Sequence, residues 1–151
     1  MHQDITDNDI AIDISSYAKN LRIVRHFFGA LAKDLEFSDE EALQIELCVD
    51  EVCANSIEGI RKREGDAPHS RVRIELKVNH DALHIVVLDK GGDFSQAFQK
   101  AEPLHDFTDR THKRGYGLPI IKTFMDEIDY QYDSQSGNRL HLIKRITHGK
   151  T

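Results

Sequence analysis

The hydrophobic period of this chain changes at Pro68, and this change constrains the fold more than any other feature. Before the proline, apolar side chains recur at the spacing of one helix face, at Ile45, Cys48, Val49, Val52 and Ile57. After it, apolar and polar residues alternate strictly, with apolar side chains at Val72, Ile74, Leu76 and Val78. Such alternation is typical of a half-buried strand. The chain must therefore pack a long helix against a sheet.

The same patterns predict the remaining elements on both sides of the proline. In chain order they are a strand over 9–15, a helix to about residue 35, a helix over 38–63, strands over 72–78 and 83–88, a short helix over 94–100, a helix opened by 115–117, and strands over about 128–132 and 139–146. Ser15 or Ser16 is expected to cap the first helix. Ser38 is expected to cap the second, with Glu41 placed for a capping box.

This order of elements predicts an α+β protein. We expect a two-layer α/β sandwich, with a mixed, mostly antiparallel sheet and three helices on one face. The sequence lacks βαβ periodicity and the motif G-x-x-x-x-G-K-S/T, which argues against a Rossmann domain and a P-loop NTPase. It has 151 residues without a repeat or linker, so residues 1–151 are expected to form one domain.

The composition excludes several functional classes. A formal net charge of −6 argues against non-specific nucleic-acid binding, which needs basic residues to neutralise phosphates. The basic cluster at 61–63 is expected to be a solvated helix end. Neither a signal peptide nor a run of roughly 18 apolar residues occurs, so we expect a cytoplasmic protein without membrane contact. Cys48 and Cys53 lie five apart on one helix, which makes a disulfide between them unfavourable.

Three polar segments could carry chemistry, and the first lies on the predicted long helix. Glu51 and Asn55 are four residues apart and therefore share a helix face. A carboxylate in such a pair can accept a proton, and the amide oxygen can bind a hard cation such as Mg²⁺. A solvated helix face would show the same pair, so the pair alone does not identify a site.

The other two segments are rich in glycine. Asp89 follows a buried strand and precedes Gly91 and Gly92, so its carboxylate could accept a hydrogen bond from an exocyclic amine where glycine admits a ligand. The segment 113–117 precedes a predicted helix, whose free N–H groups and dipole favour a phosphate. Either segment alone could also be an ordinary turn or loop.

Together and in this order, the three segments resemble the motifs of the GHKL ATPase superfamily, which includes gyrase, a heat-shock chaperone, histidine kinases and mismatch-repair ATPases. DEVCANSIEG resembles the N box, DKGGDFS the first glycine box and RGYGLPIIKTFMDEIDY the second. Within that group the chain resembles the small bacterial anti-sigma factor serine/threonine kinases, especially at 124–127. The resemblance covers about residues 8–147 and implies a Bergerat-type ATP-binding fold.

The resemblance implies a role for each matched residue. Glu51 would be the general base that takes a proton from a protein hydroxyl, a position where histidine kinases usually carry Asn. Asn55 would bind Mg²⁺ at the ATP phosphates. Asp89 would bind the adenine amino group, and Gly91 would let the base lie against the backbone. The residues that would wrap or neutralise the phosphates are Lys113, Arg114, Gly115 and Gly117.

Two positions depart from the pattern of the family. Asp93 stands where the first glycine box often has a second glycine. The tripeptide Gly137-Asn138-Arg139 stands where the family often has Gly-Thr before the last strand, with the threonine near the adenine. The second departure leaves the details of the adenine pocket open and weakens the inference of ATP turnover.

The leading hypothesis is a kinase that uses Mg²⁺ and ATP to phosphorylate a serine or threonine of a partner protein. The resemblance implies a STAS-type anti-anti-sigma protein as substrate, a sigma factor sequestered by partner switching, and a possible homodimer. One alternative is a nucleotide-dependent binding module of the same fold with little or no kinase activity. Another is a piece of a hydrolytic ATPase, which is disfavoured because the transducer domain of such machines is absent from the sequence.

Overall fold

The computed structural model describes residues 10–103 and 117–146. These residues form β1 (Ile10–Ser15), a 3-10 turn (Ala18–Asn20), α1 (Leu21–Asp34), α2 (Asp39–Glu64), β2 (Arg71–Val78), β3 (Ala82–Asp89), α3 (Ser95–Lys100), α4 (Gly117–Phe124), β4 (Glu127–Asp133) and β5 (Gly137–Arg145). The predicted order of strands and helices is confirmed, and most boundaries differ from the prediction by one or two residues.

The five strands form one sheet in the order β1-β2-β3-β5-β4, and every neighbouring pair is antiparallel. The α+β class is confirmed, whereas the expected mixed sheet is corrected to an antiparallel one. Strands β3 and β4 run in the same direction because helices connect them. They never pair, because β5 turns back from β4 and lies between the two.

Successive side chains of a strand point to opposite faces of the sheet, so one face of each strand is directed toward the helices. The register continues across the sheet, so that one row of paired residues on this face comprises Ile12, Ile74, Val87, Leu140 and Tyr130. Fully buried side chains of α1 and α2, including Phe28, Ile45 and Ile60, complete the core against this face. The row ends in a tyrosine, whose hydroxyl matters for the site described below.

The long helix begins as predicted and the first helix does not. Ser38 accepts a hydrogen bond from Glu41 N and donates its own backbone N–H to Glu41 Oε1, both at 3.1 Å, which confirms the capping box. Helix α1 begins at Leu21 without a side-chain cap, so the predicted cap at Ser15 or Ser16 is wrong. Ser16 Oγ instead donates to the backbone oxygen of Ser70 at 2.6 Å, a contact 54 residues away in sequence.

Both cysteines are buried and without a disulfide, as predicted. Burial raises the pKa of the Cys48 and Cys53 thiols to about 12. Neither forms an appreciable fraction of thiolate near neutral pH, so neither is a reactive nucleophile. Among the described helices, none is both long and apolar enough to cross a membrane.

The sheet face that points away from the helices carries a histidine pair. His84 Nδ1 on β3 and His141 Nε2 on β5 lie 3.0 Å apart. Burial lowers the pKa of both imidazoles. For His141, the neighbouring His84 and Arg139 act in the same direction, while Asp129 and Glu127 oppose the shift. The folded protein therefore favours the neutral form of the pair.

This pair should make the stability of the protein depend on pH. Because both pKa values are lowered on folding, the unfolded chain binds more protons at low pH. The stabilisation is complete above the ordinary histidine pKa of 6.5 and is lost as the pH falls below it. The free energy of unfolding, measured with urea from about pH 8 to pH 5, should fall less steeply for the double variant H84Q/H141Q than for the wild type. Equal slopes would contradict this expectation.

Candidate functional site

Asp89, the last residue of β3, is a buried carboxylate whose hydrogen-bond donors come from separate parts of the fold. Its Oδ1 accepts from Gly91 N at 2.7 Å and from Asn138 Nδ2 at 3.0 Å. Its Oδ2 accepts from Ser56 Oγ at 2.7 Å. A carboxylate offers about four acceptor positions, and among the described residues one position on Oδ2 has no donor. Asp89 can therefore accept one further hydrogen bond from a ligand.

Asn138, the second residue of β5, is a site residue that sequence reasoning missed. Its Nδ2 donates to Asp89 Oδ1 and also to the backbone oxygen of Gly92 at 2.7 Å. Its Oδ1 accepts from the Tyr130 hydroxyl. Both amide hydrogens are thus used within the protein, so Asn138 orients Asp89 and has no hydrogen left to donate to a ligand. The departure from the Gly-Thr pattern is an integral part of the site.

Gly137 allows Asn138 to reach this position. Its φ of 88° lies in the left-handed region, and a Cβ there would lie 2.1 Å from the backbone oxygen of Asp89. Any other residue would push β5 away from the end of β3, where Asp89 and Asn138 are paired. The available sequence signal was a glycine between the last two predicted strands.

Tyr130 of β4 forms a second link between the sheet and the loop that follows β3. Its hydroxyl accepts a hydrogen bond from Phe94 N at 2.8 Å and donates to Asn138 Oδ1. Burial raises the pKa of this phenol, so it stays protonated at neutral pH and can act as the donor. Phe94, Tyr130 and Asn138 are therefore held as one hydrogen-bonded unit.

Asp89 is the acidic group of a narrow, mostly apolar cavity. The lining residues come from α2, the sheet, the loop after β3 and α4, and are Val52, Asn55, Ser56, Val87, Asp89, Phe94, Leu118, Tyr130, Asn138 and Leu140. Aliphatic side chains and two aromatic rings supply apolar walls, and the carboxylate supplies one oriented acceptor. This combination suits a planar heteroaromatic group that carries an amino substituent.

Glycines let α2 approach the loop after β3 closely. A Cβ at Gly91 would lie 2.9 Å from Asp89 Oδ1 and 3.3 Å from backbone atoms of Gly59 and Ile60. A Cβ at Gly59 would lie 3.2 Å from the ring of Phe94. Gly59 lies one turn after Asn55 on α2, and its role was not predicted from the sequence. The two glycines together set the distance between the helix and the loop.

The basic end of α2 takes part in this arrangement. Arg63 Nη1 donates to the backbone oxygens of Lys90 and Gly91, both at 3.0 Å. The Arg61 guanidinium lies 5.2 Å from the centre of the Tyr17 ring. The predicted solvated helix end is borne out for Lys62 and Arg63, which are exposed in the last turn of α2, whereas Arg61 is only partly exposed. Arg63 holds the glycine loop against α2.

Helix α2 carries Glu51 and Asn55 one turn apart, and both are partly exposed. Asn55 lines the cavity that contains Asp89. Glu51 is not among the described residues that line this cavity. It lies near the buried Cys48, and its charge raises the pKa of that thiol in addition to the larger effect of burial. The structure thus brings Asn55, Asp89 and Gly91 together and places Glu51 one helical turn away.

The predicted phosphate-binding residues fall largely outside the described part of the chain. Lys113, Arg114 and Gly115 belong to the segment for which no structure is described. Gly117 is the first residue of α4. The next residue, Leu118, lines the cavity, so the N-terminal end of α4 lies beside it.

Comparison with known proteins gives a family and several relatives. A family model of the histidine kinase-like ATPase domain matches residues 14–144. An anti-sigma F factor of Clostridium beijerinckii is 30% identical, and the match covers 94% of this chain and 97% of that protein. Serine-protein kinase RsbW of Bacillus pumilus is also 30% identical, over 83% of this chain and 79% of its own length. An anti-sigma F factor of Oceanobacillus iheyensis is 25% identical, over 95% of this chain and 97% of that protein.

The two glycines of the loop after β3 should respond differently to alanine. Gly91→Ala forces a Cβ against Asp89 Oδ1 and the backbone of α2, and we expect it to destabilise the fold by about 1–3 kcal/mol and to weaken nucleotide binding. Gly92→Ala is the matched control, because a Cβ there meets nothing within 4 Å. Urea unfolding and nucleotide titration measure both effects. Equal losses in the two variants would refute the close approach at Gly91.

Replacing Asn138 should test its role in holding Asp89. Asn138→Ala removes the donor to Asp89 and the acceptor of the Tyr130 hydroxyl, which leaves buried polar groups without partners at a cost of about 1–3 kcal/mol. We expect a matching loss of nucleotide affinity in equilibrium titrations. Asn138→Thr places a hydroxyl at this position, which can still donate one hydrogen bond, and it should lose less affinity. An alanine variant that binds nucleotide as tightly as the wild type would rule out the role.

Proposed function

The chain belongs to the histidine kinase-like ATPase domain family, and on that premise we propose that it is an ATP-dependent serine/threonine-protein kinase that acts as an anti-sigma factor. Its phosphoryl acceptor is a STAS-type anti-anti-sigma protein, and its second partner is a sigma factor. Relatives named anti-sigma F factor and serine-protein kinase RsbW support this assignment over nearly the whole chain.

The observation that carries the proposal is the acceptor position left on Asp89 Oδ2. Adenine presents an exocyclic amino group, which can donate to this oxygen, whereas guanine presents a carbonyl oxygen at the same ring position and would meet the carboxylate with a second acceptor. The ring then lies between the apolar walls supplied by Val52, Phe94 and Leu140. Because Ser56 and Asn138 already hold Asp89, its carboxylate is oriented before the nucleotide binds.

Asn55 suits the metal that accompanies ATP. Magnesium prefers oxygen ligands and usually takes only one or two from the protein, the rest being phosphate and water. The Asn55 side chain offers an amide oxygen at the border between the cavity and solvent. When bound, Mg·ATP supplies the phosphoryl group for transfer and the metal charge that neutralises the phosphates.

Glu51 is proposed as the general base. Its carboxylate lies one turn from Asn55 on the same face of α2 and is partly exposed, so a hydroxyl of a partner protein can approach it. It accepts the proton of the attacking serine or threonine. We assign charge compensation at the phosphates to Lys113 and Arg114, and close backbone approach to Gly115 and Gly117.

Phosphorylation explains how one chain can alternate between two partners. A phosphate adds about −1.5 to −2 charge to the antagonist and changes its fit to the surface of the kinase. The kinase then releases the antagonist and binds the sigma factor. We further propose that the protein acts in the cytoplasm, where both partners occur, and that it works as a homodimer.

The alternative of a binding module with little or no kinase activity is not favoured. Its support is the Gly137-Asn138-Arg139 departure, which weakens the inference of ATP turnover. In the structure, Asn138 donates to Asp89 Oδ1, and among the described residues one acceptor position on Oδ2 is left for a ligand. The relative named serine-protein kinase also supports an active enzyme.

The proposed base is tested by comparing two adjacent acidic residues. Glu51→Gln should reduce phosphoryl transfer from labelled ATP to the antagonist by at least about 10²-fold, while ATP binding stays within a factor of about two, since general-base catalysis contributes 10²–10⁴-fold. Asp50→Asn is the matched control, because it removes the same charge from the neighbouring residue. The Asp50 side chain itself pairs with Arg25 at 3.0 Å. We expect that control to retain activity.

Two results would contradict the proposal. Full transfer by Glu51→Gln would remove Glu51 from the chemistry. Nucleotide binding by the wild type, without transfer to any STAS-type protein from the same organism, would refute the kinase and leave a sequestering module.

A further inference from the structure

We propose that Lys122 of α4 is a positioning residue for the nucleotide, although it does not line the cavity. The inference rests on the nucleotide site proposed above, and it adds a residue whose action passes through α3. Lys122 binds the C-terminal end of α3, and α3 positions Phe98 and Phe94. Both of these residues contact Tyr130, which lines the cavity.

Lys122 caps the C-terminal end of α3. Its Nζ donates to the backbone oxygen of Phe98 and, at 2.7 Å, to that of Ala101. It also lies 4.4 Å from the centre of the Phe98 ring, a cation–π contact. The last carbonyls of a helix have no partner within the helix, so a cation placed there satisfies them and the helix dipole together.

Helix α3 needs such an anchor. It has six residues, none of them buried, and a helix of this length does not form in isolation. Its packing inside the fold is against β4, where the Phe98 ring stacks on Tyr130 with the ring centres 5.2 Å apart. Among the described residues, Lys122 is therefore one of the groups that decide where α3 lies.

The position of α3 is transmitted to the nucleotide cavity by two routes. The stacked Phe98 ring supports Tyr130, which donates to Asn138 and so supports Asp89. Phe94, the residue before α3, lines the cavity and donates its N–H to the same Tyr130 hydroxyl. A displacement of α3 therefore moves one wall of the cavity and loosens the hydrogen bonds that orient the carboxylate.

Lys122 also connects the opposite wall. It lies one turn after Leu118 on α4, which lines the cavity from the other side. Its bonds to Phe98 and Ala101 tie α4 to α3, in addition to the packing of α4 on α2 and the hydrogen bond of Phe94 N to Tyr130. Lys122 therefore acts on the spacing between Leu118 and Phe94 without touching the contents of the cavity.

The decisive variant is Lys122→Met, which keeps the length and apolar character of the side chain and removes its charge and donors. We expect the Kd for ATP, measured with a fluorescent ATP analogue and competing unlabelled ATP, to rise about tenfold. The KM for ATP should rise with it, whereas kcat at saturating ATP should change by less than about twofold, because ground state and transition state lose the same binding.

Three further variants separate positioning from general stability. Lys122→Arg keeps the cation and the donors and should restore most of the affinity. Lys100→Met removes the same charge from the exposed last turn of α3 and should leave the Kd unchanged. Phe98→Leu should weaken ATP binding. Lys122→Met should then reduce the affinity for ATP less in the Phe98→Leu background than in the wild type, because both residues act through the position of α3.

The Kd for ATP and the thermal unfolding of each variant, measured together, decide between positioning and general stability. A Lys122→Met protein that melts earlier but binds ATP with wild-type Kd would overturn the proposal, as would an equal loss of affinity in Lys100→Met or full additivity with Phe98→Leu. Because binding needs no phosphoryl acceptor, a wild type that binds ATP without transferring phosphate contradicts only the kinase function. The ratio of Kd values then still decides the role of Lys122.

Discussion

The buried carboxylate of Asp89 is the interaction on which the site depends. An ionised group inside a protein is tolerated only when hydrogen bonds replace its hydration. Here the donors are Ser56 from α2, Gly91 from the loop and Asn138 from β5, so satisfying one charge fixes a helix, a loop and a strand relative to each other. The carboxylate of the site therefore also links the two layers of the fold, which share a hydrophobic core.

Close backbone approach is the second condition, and it follows from the first. Donors from three elements can reach one carboxylate only if those elements nearly touch. Gly137 meets the backbone of Asp89 at a distance that excludes a side chain, and a Cβ at Gly91 would lie only 3.3 Å from the backbone of α2. Arg63 then holds the loop from the end of α2. A single pattern of glycines and polar side chains thus shapes the cavity and places its one acceptor.

The departures from the family pattern gain a meaning from this geometry. Asn138 replaces a threonine that is expected near the adenine, and it uses its amide to complete the hydrogen bonding of Asp89. Its support by Tyr130, and that of Tyr130 by Phe98 and α3, extends the site into the edge of the sheet and makes residues such as Lys122 relevant. On the proposed function, the affinity for nucleotide depends on a connected set of elements that is wider than the three motifs.

The sequence by itself determined what depends on neighbouring residues: the strand alternation, the capping box at Ser38, the α+β class, and the motif residues Asn55, Asp89 and Gly91. These follow from local periodicity, from the geometry of one helix turn and from recognisable motifs. Only the tertiary structure decided that the sheet is wholly antiparallel, that Ser16 binds a distant strand instead of capping α1, and that Asn138 orients Asp89. Those outcomes rest on contacts 49 or more residues apart, whose partners are chosen by packing, and no local pattern records them.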